Sequence, residues 1–168
     1  MKKEEVKKYV HIISSRIDEF LSLIQKQDEK TINWKPSDEE WSIKEVLCHV
    51  EEVNRYWLQE LERIVRNPEM KWGRGLNDPE RLNAVSTAGH RDRKKVIDEI
   101  NEFKTVIHER LLNLDDRELM IEAEHRNPKF GIRKLSFLLD HFMVEHLEKH
   151  IEQVNRNLKK YQKEPTYQ

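Results

Sequence analysis

The 168-residue chain contains a single cysteine, Cys48. An internal disulfide is therefore excluded, and so is any CxxC redox or zinc motif. Glycine is almost as scarce, with four residues. No GxGxxG or Walker-type loop occurs, so the phosphate-cradling turns of nucleotide-binding folds are missing. No GxSxG stretch supports a serine-hydrolase elbow. No run approaches the ~20 apolar residues of a membrane span, and the charged start Met1-Lys2-Lys3-Glu4-Glu5 leads into no apolar signal core. The expected location is the cytoplasm, with no membrane partner. Excess charge is lacking too: 31 basic residues against 32 acidic ones leave a net charge of -1. That balance gives no global attraction to nucleic acid, and the basic run Arg91-Asp92-Arg93-Lys94-Lys95 reads as helix surface.

What remains is a chain that is 38% charged and 36% hydrophobic, a mixture suited to long amphipathic helices with solvated outer faces. The length suits one domain, 1–168, with a sizeable core. Val6, Tyr9, Val10, Ile13, Ile17, Phe20, Leu21 and Ile24 recur at three- and four-residue steps, which predicts a first helix from about Lys3 to Gln27. Ser42-Ile43-Lys44-Glu45 is a capping box, with Trp41 and Val46 as a hydrophobic staple. It starts a second helix that runs through Val46, Val50, Val53, Trp57, Leu61 and Ile64 and ends near Asn67-Pro68. Residues 67–84, punctuated by Pro68, Gly73, Gly75, Asn77 and Pro79, form a long connection. Trp72 in its middle either pins the connection to the bundle or forms a lid or pocket wall. A third helix is expected from about Ser86 to Leu112, a second connection around Asn127-Pro128 and Gly131, and a fourth helix from about Lys134 to Lys160. The tail after Tyr161 is expected to fray. No strand alternation is present. The architecture implied is all-α, a four-helix bundle with long connections.

The fourth helix carries His146-x-x-x-His150, with Gln153 a further turn along. Four-residue spacing puts both imidazoles on one side of an α-helix, the side otherwise filled by Leu135, Leu139, Phe142, Met143 and Val154. On the second helix His49 lies angularly between Val46 and Val53 and also points inward. A lone inward histidine is more often a hydrogen-bonded core residue than a ligand, but three on facing inner surfaces can meet where bundles build metal sites. Three neutral imidazoles suit a divalent ion of borderline character, with zinc or nickel first and iron open. Three ligands would leave coordination positions for water or substrate. Gln153 either orients a ligand or is a buried core amide. His141 could pair with Glu145; His11, His90, His108 and His125 read as surface, and Cys48 as a packed thiol. A di-iron carboxylate site is disfavoured, because the one Glu-x-x-His, Glu122-x-x-His125, falls in a connection.

Trp41-Ser42-Ile43-Lys44-Glu45-Val46-Leu47-Cys48-His49, followed about a hundred residues later by His146-x-x-x-His150-x-x-Gln153, resembles the DinB-like family, the DinB/YfiT-like metalloenzymes. The resemblance covers essentially the whole chain. It implies a four-helix bundle with non-sequential connections, often a homodimer, and a divalent metal held at His49, His146 and His150. Leu147 and Glu152 depart from the family pattern, in which glutamate often follows the first histidine of the pair and glycine often precedes the glutamine; the three ligand positions are intact. Relatives include S-transferases that use low-molecular-weight thiols such as bacillithiol, as well as suspected hydrolases. The function expected is thiol S-transfer to small electrophiles, by a thiolate that the metal's charge makes available near neutral pH. The alternatives are metal-dependent hydrolysis, with Glu45, Glu52 or Glu145 as general-base candidates, and a non-catalytic metal-binding stress protein.

Overall fold

A computed structural model describes residues 1–165. Four long helices carry the core: α1 (Glu4–Gln25), α3 (Ile43–Arg66), α5 (Arg93–Leu112) and α7 (Glu145–Gln162). Two short helices, α2 (Glu29–Asn33) and α4 (Pro79–Ser86), sit in the connections, and α6 (Leu135–Phe137) leads into α7 through a π-helical stretch, Leu138–Val144. α1 and α3 each pack against both α5 and α7. The two successive long helices therefore lie diagonally across the bundle, and the chain needs long connections to reach its next neighbour. Among the described residues no helix is long and apolar enough to cross a membrane.

Each long helix forms for reasons visible in its residues. Val6, Val10, Ile13, Ile17, Phe20, Leu21 and Ile24 make the buried stripe of α1, and burial of such a stripe supplies most of a helix's stability in a folded chain. Ser42 caps α3 by accepting from the Glu45 N–H at 3.1 Å. The reciprocal half of the expected box is not made, since Glu45 reaches Lys35 at 3.5 Å instead. The third long helix starts at Arg93 rather than Ser86. Asp92 caps it by accepting from the Lys95 N–H, while Asp78-Pro79 opens the separate helix α4, with the Asp78 carboxylate accepting from Glu80 and Arg81. Aspartate at N-cap and proline at N1 are strong start signals, and they cut the predicted connection short.

Two further departures concern residues 120–145. A small antiparallel hairpin, β1 (Glu122–Glu124) and β2 (Ile132–Lys134), pairs Ala123 with Arg133, where no strand was expected. Three-residue strands are too short to show alternation. The π-helical stretch ends with the Glu145 N–H donating to Asp140. It inserts an extra residue into the helix directly before His146, a feature often found next to functional sites. At the other end α7 reaches Gln162, one residue into the tail expected to fray; residues 166–168 lie outside the described residues.

Trp72 acts as a pin. It is 1% exposed, its N–H donates to Glu124 and its carbonyl accepts from Arg126, and its indole N–H donates to the Ala123 carbonyl at 3.1 Å. The long connection is thus bridged to the flank of the hairpin at Trp72. His125, expected at the surface, is 2% exposed and packs its ring 4.5 Å from Trp72. This is a correction: the hairpin folds back over the aromatic cluster of Trp57, Trp72 and Phe142. Gly73 makes that fit possible. Its φ is +87°, and a Cβ there would lie 2.1 Å from His125 Nε2. Its N–H donates to the Glu60 carboxylate at 2.6 Å. Gly73→Ala is expected to cost about 3 kcal/mol in urea unfolding, from the positive φ and the overlap together. Gly75→Ala, where a Cβ meets open space, is expected to stay within about 0.5 kcal/mol; equal effects at both positions would contradict this account of the pin.

Candidate metal centre

α3 and α7 pack together and bring three histidines to one point. His49 Nε2 lies 3.3 Å from His146 Nε2, and His150 Nε2 lies 3.0 Å from the same atom. The three ligand nitrogens all fall within 4.8 Å of one another. His49 and His150 are buried and His146 is half-buried. The sequence placed all three inward, and the structure brings them together.

Proton bookkeeping within the cluster points to a cation. His150 Nδ1 donates to Gln153 Oε1 at 2.8 Å, so a neutral His150 keeps its proton on Nδ1 and turns a bare lone pair toward His146. A proton on His146 Nε2 can serve one neighbour well, but not both. His49 Nδ1 is buried without a hydrogen-bond partner among the described residues. With His150 Nε2 bare and His146 shared between two neighbours, the three Nε2 atoms cannot all be satisfied by hydrogen bonds to one another. Imidazole nitrogens about 2.0–2.1 Å from one zinc-sized ion, at tetrahedral angles, are separated by about 3.3–3.4 Å; the His49–His146 pair has that spacing at 3.3 Å, and the His146–His150 pair is slightly closer at 3.0 Å. The residues present fit a divalent metal ion, held by one nitrogen from each ring. The Gln153 contact has the form usual behind a ligating histidine, fixing its tautomer and ring orientation.

Burial also prepares the donors. Desolvation, with smaller effects from the charges of the neighbouring His150, Arg81 and Arg74, holds His49 down to about 2. Desolvation likewise lowers His146 well below the ordinary histidine value. His150 is lowered by burial too, and the Gln153 hydrogen bond pulls part of the way back. All three imidazoles are neutral at neutral pH, the form that binds metals. Cys48 is not part of the cluster; it is buried, and burial pushes its thiol up.

The surroundings include residues that the sequence reading did not assign to the site. Trp41, read as a staple, sets its ring 4.9 Å from that of His49 and lies nearly parallel to His150 at 6.5 Å. Asn157 on α7 donates to the Trp41 carbonyl at 2.8 Å, which ties that ring to the same helix as the two histidines. The Arg81 guanidinium stands 5.5 Å over the Trp41 ring. Arg74 makes a buried two-pronged pair with Glu52, both contacts at 2.6 Å. A recess of about 370 Å³ borders Trp41, Gln153 and Asn157, with Glu39, Glu40 and Arg156 on its rim.

The carboxylates expected as general-base candidates are engaged elsewhere. Glu52 is held by Arg74, Glu45 lies near Lys35, and Glu145 pairs with His141 at 3.0 Å. His11, His90 and His108 are exposed as expected. Glu122 and His125 sit on the hairpin and its flank, away from any second metal cluster among the described residues.

A family model described as the DinB superfamily matches residues 13–154. A search of curated proteins finds no match. Three chains among solved structures match. One is YfiT from Bacillus subtilis, 14% identical, aligned over 96% of this chain and 90% of that chain with a TM-score of 0.80. That protein is described as a probable metal-dependent hydrolase with an unusual four-helix bundle topology. At this identity the likeness carries the fold, and it bears out the all-α four-helix bundle of the DinB/YfiT-like type.

The histidine pKa values have a consequence for the metal-free protein. With folded values depressed below the ordinary 6.5, the unfolded chain takes up protons that the folded chain refuses once the pH falls below about 6.5. Their contribution to stability is complete above that pH and shrinks as the pH drops toward the folded values. The melting temperature of metal-free protein is expected to fall between pH 7 and pH 5, and to fall less steeply in His49→Leu; parallel slopes would contradict the assignment.

Proposed function

The chain belongs to the DinB superfamily, and on that premise we propose that it is a metal-dependent enzyme transferring a low-molecular-weight thiol, of the bacillithiol type, to small electrophiles, with His49, His146 and His150 as the metal ligands. The observation that carries the reading is the meeting of three imidazole nitrogens at 3.0 and 3.3 Å. A divalent ion there, zinc or nickel in first place, would supply Lewis-acid charge that lowers the pKa of a bound ligand.

The chain's own groups then have distinct tasks. His49 and His146 present nitrogen lone pairs from facing helices, and Gln153 holds His150 in the tautomer that does the same. Trp41 keeps one side of the cluster dry, which strengthens every charge interaction beside it. In the transfer, the thiolate sulfur forms a bond to the electrophilic carbon while the leaving group departs with the bonding electron pair. The engagement of the three candidate general bases favours this nucleophile. A thiol has only to lose its proton, whereas hydrolysis is helped by a general base, and Glu45, Glu52 and Glu145 are each engaged.

Hydrolysis is the second reading, favoured by the description of YfiT as a probable metal-dependent hydrolase. The two part on a simple assay. Protein isolated without chelator or affinity tag is expected to contain one divalent ion per chain. It should conjugate N-acetylcysteine to monobromobimane with bromide release. His146→Ala is expected to lose the ion and at least about a hundredfold of that rate. Ester hydrolysis that needs the metal and ignores added thiol would select the second reading. Thiol transfer that survives His146→Ala at full rate would overturn the first.

A further inference from the structure

Arg81 differs from Arg74 and Arg91 in what it lacks. Arg74 is completed by Glu52 and Asp78 and covered by the Tyr56 ring at 3.8 Å. Arg91 is completed by Glu51 and Glu99. Arg81 is half-buried and forms no ion pair among the described residues. Its one side-chain hydrogen bond runs from Nη1 to the Leu76 carbonyl. The Nε–H and Nη2 edge of the guanidinium, the fork that matches a carboxylate with two parallel hydrogen bonds, has no partner there.

The position of this edge gives it meaning. The guanidinium stacks over Trp41, and Trp41 is the ring set against both His49 and His150. The Arg81 charge is felt at all three imidazoles, which no other lysine or arginine matches. The backbone of α4 fixes its base, because Asp78 caps the helix through the Arg81 N–H. Charge balance points the same way. Three neutral imidazoles bring no negative charge to a divalent ion, and the buried carboxylate of Glu52, on the helix that carries His49, is paired with Arg74. With the ion bound, the histidine cluster and Arg81, each set against Trp41, would both be cationic, and Arg81 has no ion pair among the described residues. Such an arrangement favours an anionic ligand that spans both.

We propose that Arg81 is a substrate-binding residue, and that the centre takes small molecules bearing a carboxylate, held by the Nε/Nη2 edge of Arg81 while the reacting group lies at the three histidines. This rests on the metal-site reading and adds the substrate class. The carboxylate would be set by Arg81, and the guanidinium in turn by Trp41 and the Leu76 carbonyl.

The test uses the full chain loaded with cobalt(II), whose visible absorption reports thiolate ligation. Two probes of equal length, 3-mercaptopropionate and 3-mercapto-1-propanol, are titrated separately. The carboxylate thiol is expected to bind at least about tenfold more tightly, the lower end for a charge-assisted hydrogen-bond pair. Arg81→Leu should erase that preference while leaving cobalt stoichiometry, circular dichroism and affinity for the alcohol unchanged. Arg81→Lys, which keeps the charge and loses the fork, should retain a smaller preference. Equal affinity of the two thiols for the wild type, or a preference that survives Arg81→Leu, would overturn the proposal and leave the metal centre standing. Failure of the wild type to bind cobalt would instead overturn the metal-site reading, and this inference with it. Should Arg81→Leu fail to fold, the wild-type comparison and Arg81→Lys still decide.

Discussion

The three imidazoles of His49, His146 and His150 set the terms for the surrounding structure. Taking three ionisable rings out of water is unfavourable unless they stay neutral and find partners for their polar atoms. The bundle meets the first condition by burial, which depresses the proton affinity of each ring. It meets the second only in part. Gln153 takes one N–H, while the Nε2 atoms crowd together and cannot all be paired with one another. A well-packed core of ordinary residues would not be built this way. The arrangement is consistent with a cluster completed by a cation.

Holding that cluster requires precise phasing of two helices from opposite ends of the sequence. α3 is anchored at its start by Ser42, two turns before His49. α7 is entered through a π-helical stretch that adds a residue just ahead of His146. This extra residue lets Leu138, Leu139 and Met143 stay buried while the following turn presents histidines inward. Asn157, farther along α7, secures the Trp41 carbonyl, so the aromatic side wall and the ligand pair share one helix.

The long connection between α3 and α5 belongs to the same construction. Trp72 is stitched to the hairpin, Gly73 fits beneath His125, and the Glu60 carboxylate receives the Gly73 N–H. One residue further, Arg74 locks onto Glu52 on α3. A connection fixed at these points delivers α4, and with it Arg81, to the edge of the metal centre. Pairing Glu52 with Arg74 inside the protein is a costly use of a carboxylate, and Arg81 has no ion pair among the described residues.

The parts legible in the sequence were those governed by local periodicity. The apolar stripes of α1, α3, α5 and α7 follow the 3.6-residue helical repeat, and the same repeat oriented His49, His146, His150 and Gln153. What escaped was set by tertiary contact or by very short elements. The strands Glu122–Glu124 and Ile132–Lys134 pair with each other, with Trp72 bridged beside the first, and pairing over three residues leaves no pattern. His125 is buried by the hairpin's fold rather than by any stripe. The third long helix begins at Arg93, seven residues after the expected Ser86, because Asp92 caps it and Asp78-Pro79 opens a separate short helix, two start signals that an apolar stripe does not carry. Arg81 could not be found at all, since its nearness to the histidines depends on how the connection lies. The measurement that bears most directly on the central claim is anomalous diffraction at the zinc edge from crystals grown with zinc. The account predicts one strong peak about 2.0–2.1 Å from Nε2 of each of His49, His146 and His150. A cluster without a peak, or zinc held only elsewhere on the chain, would contradict it.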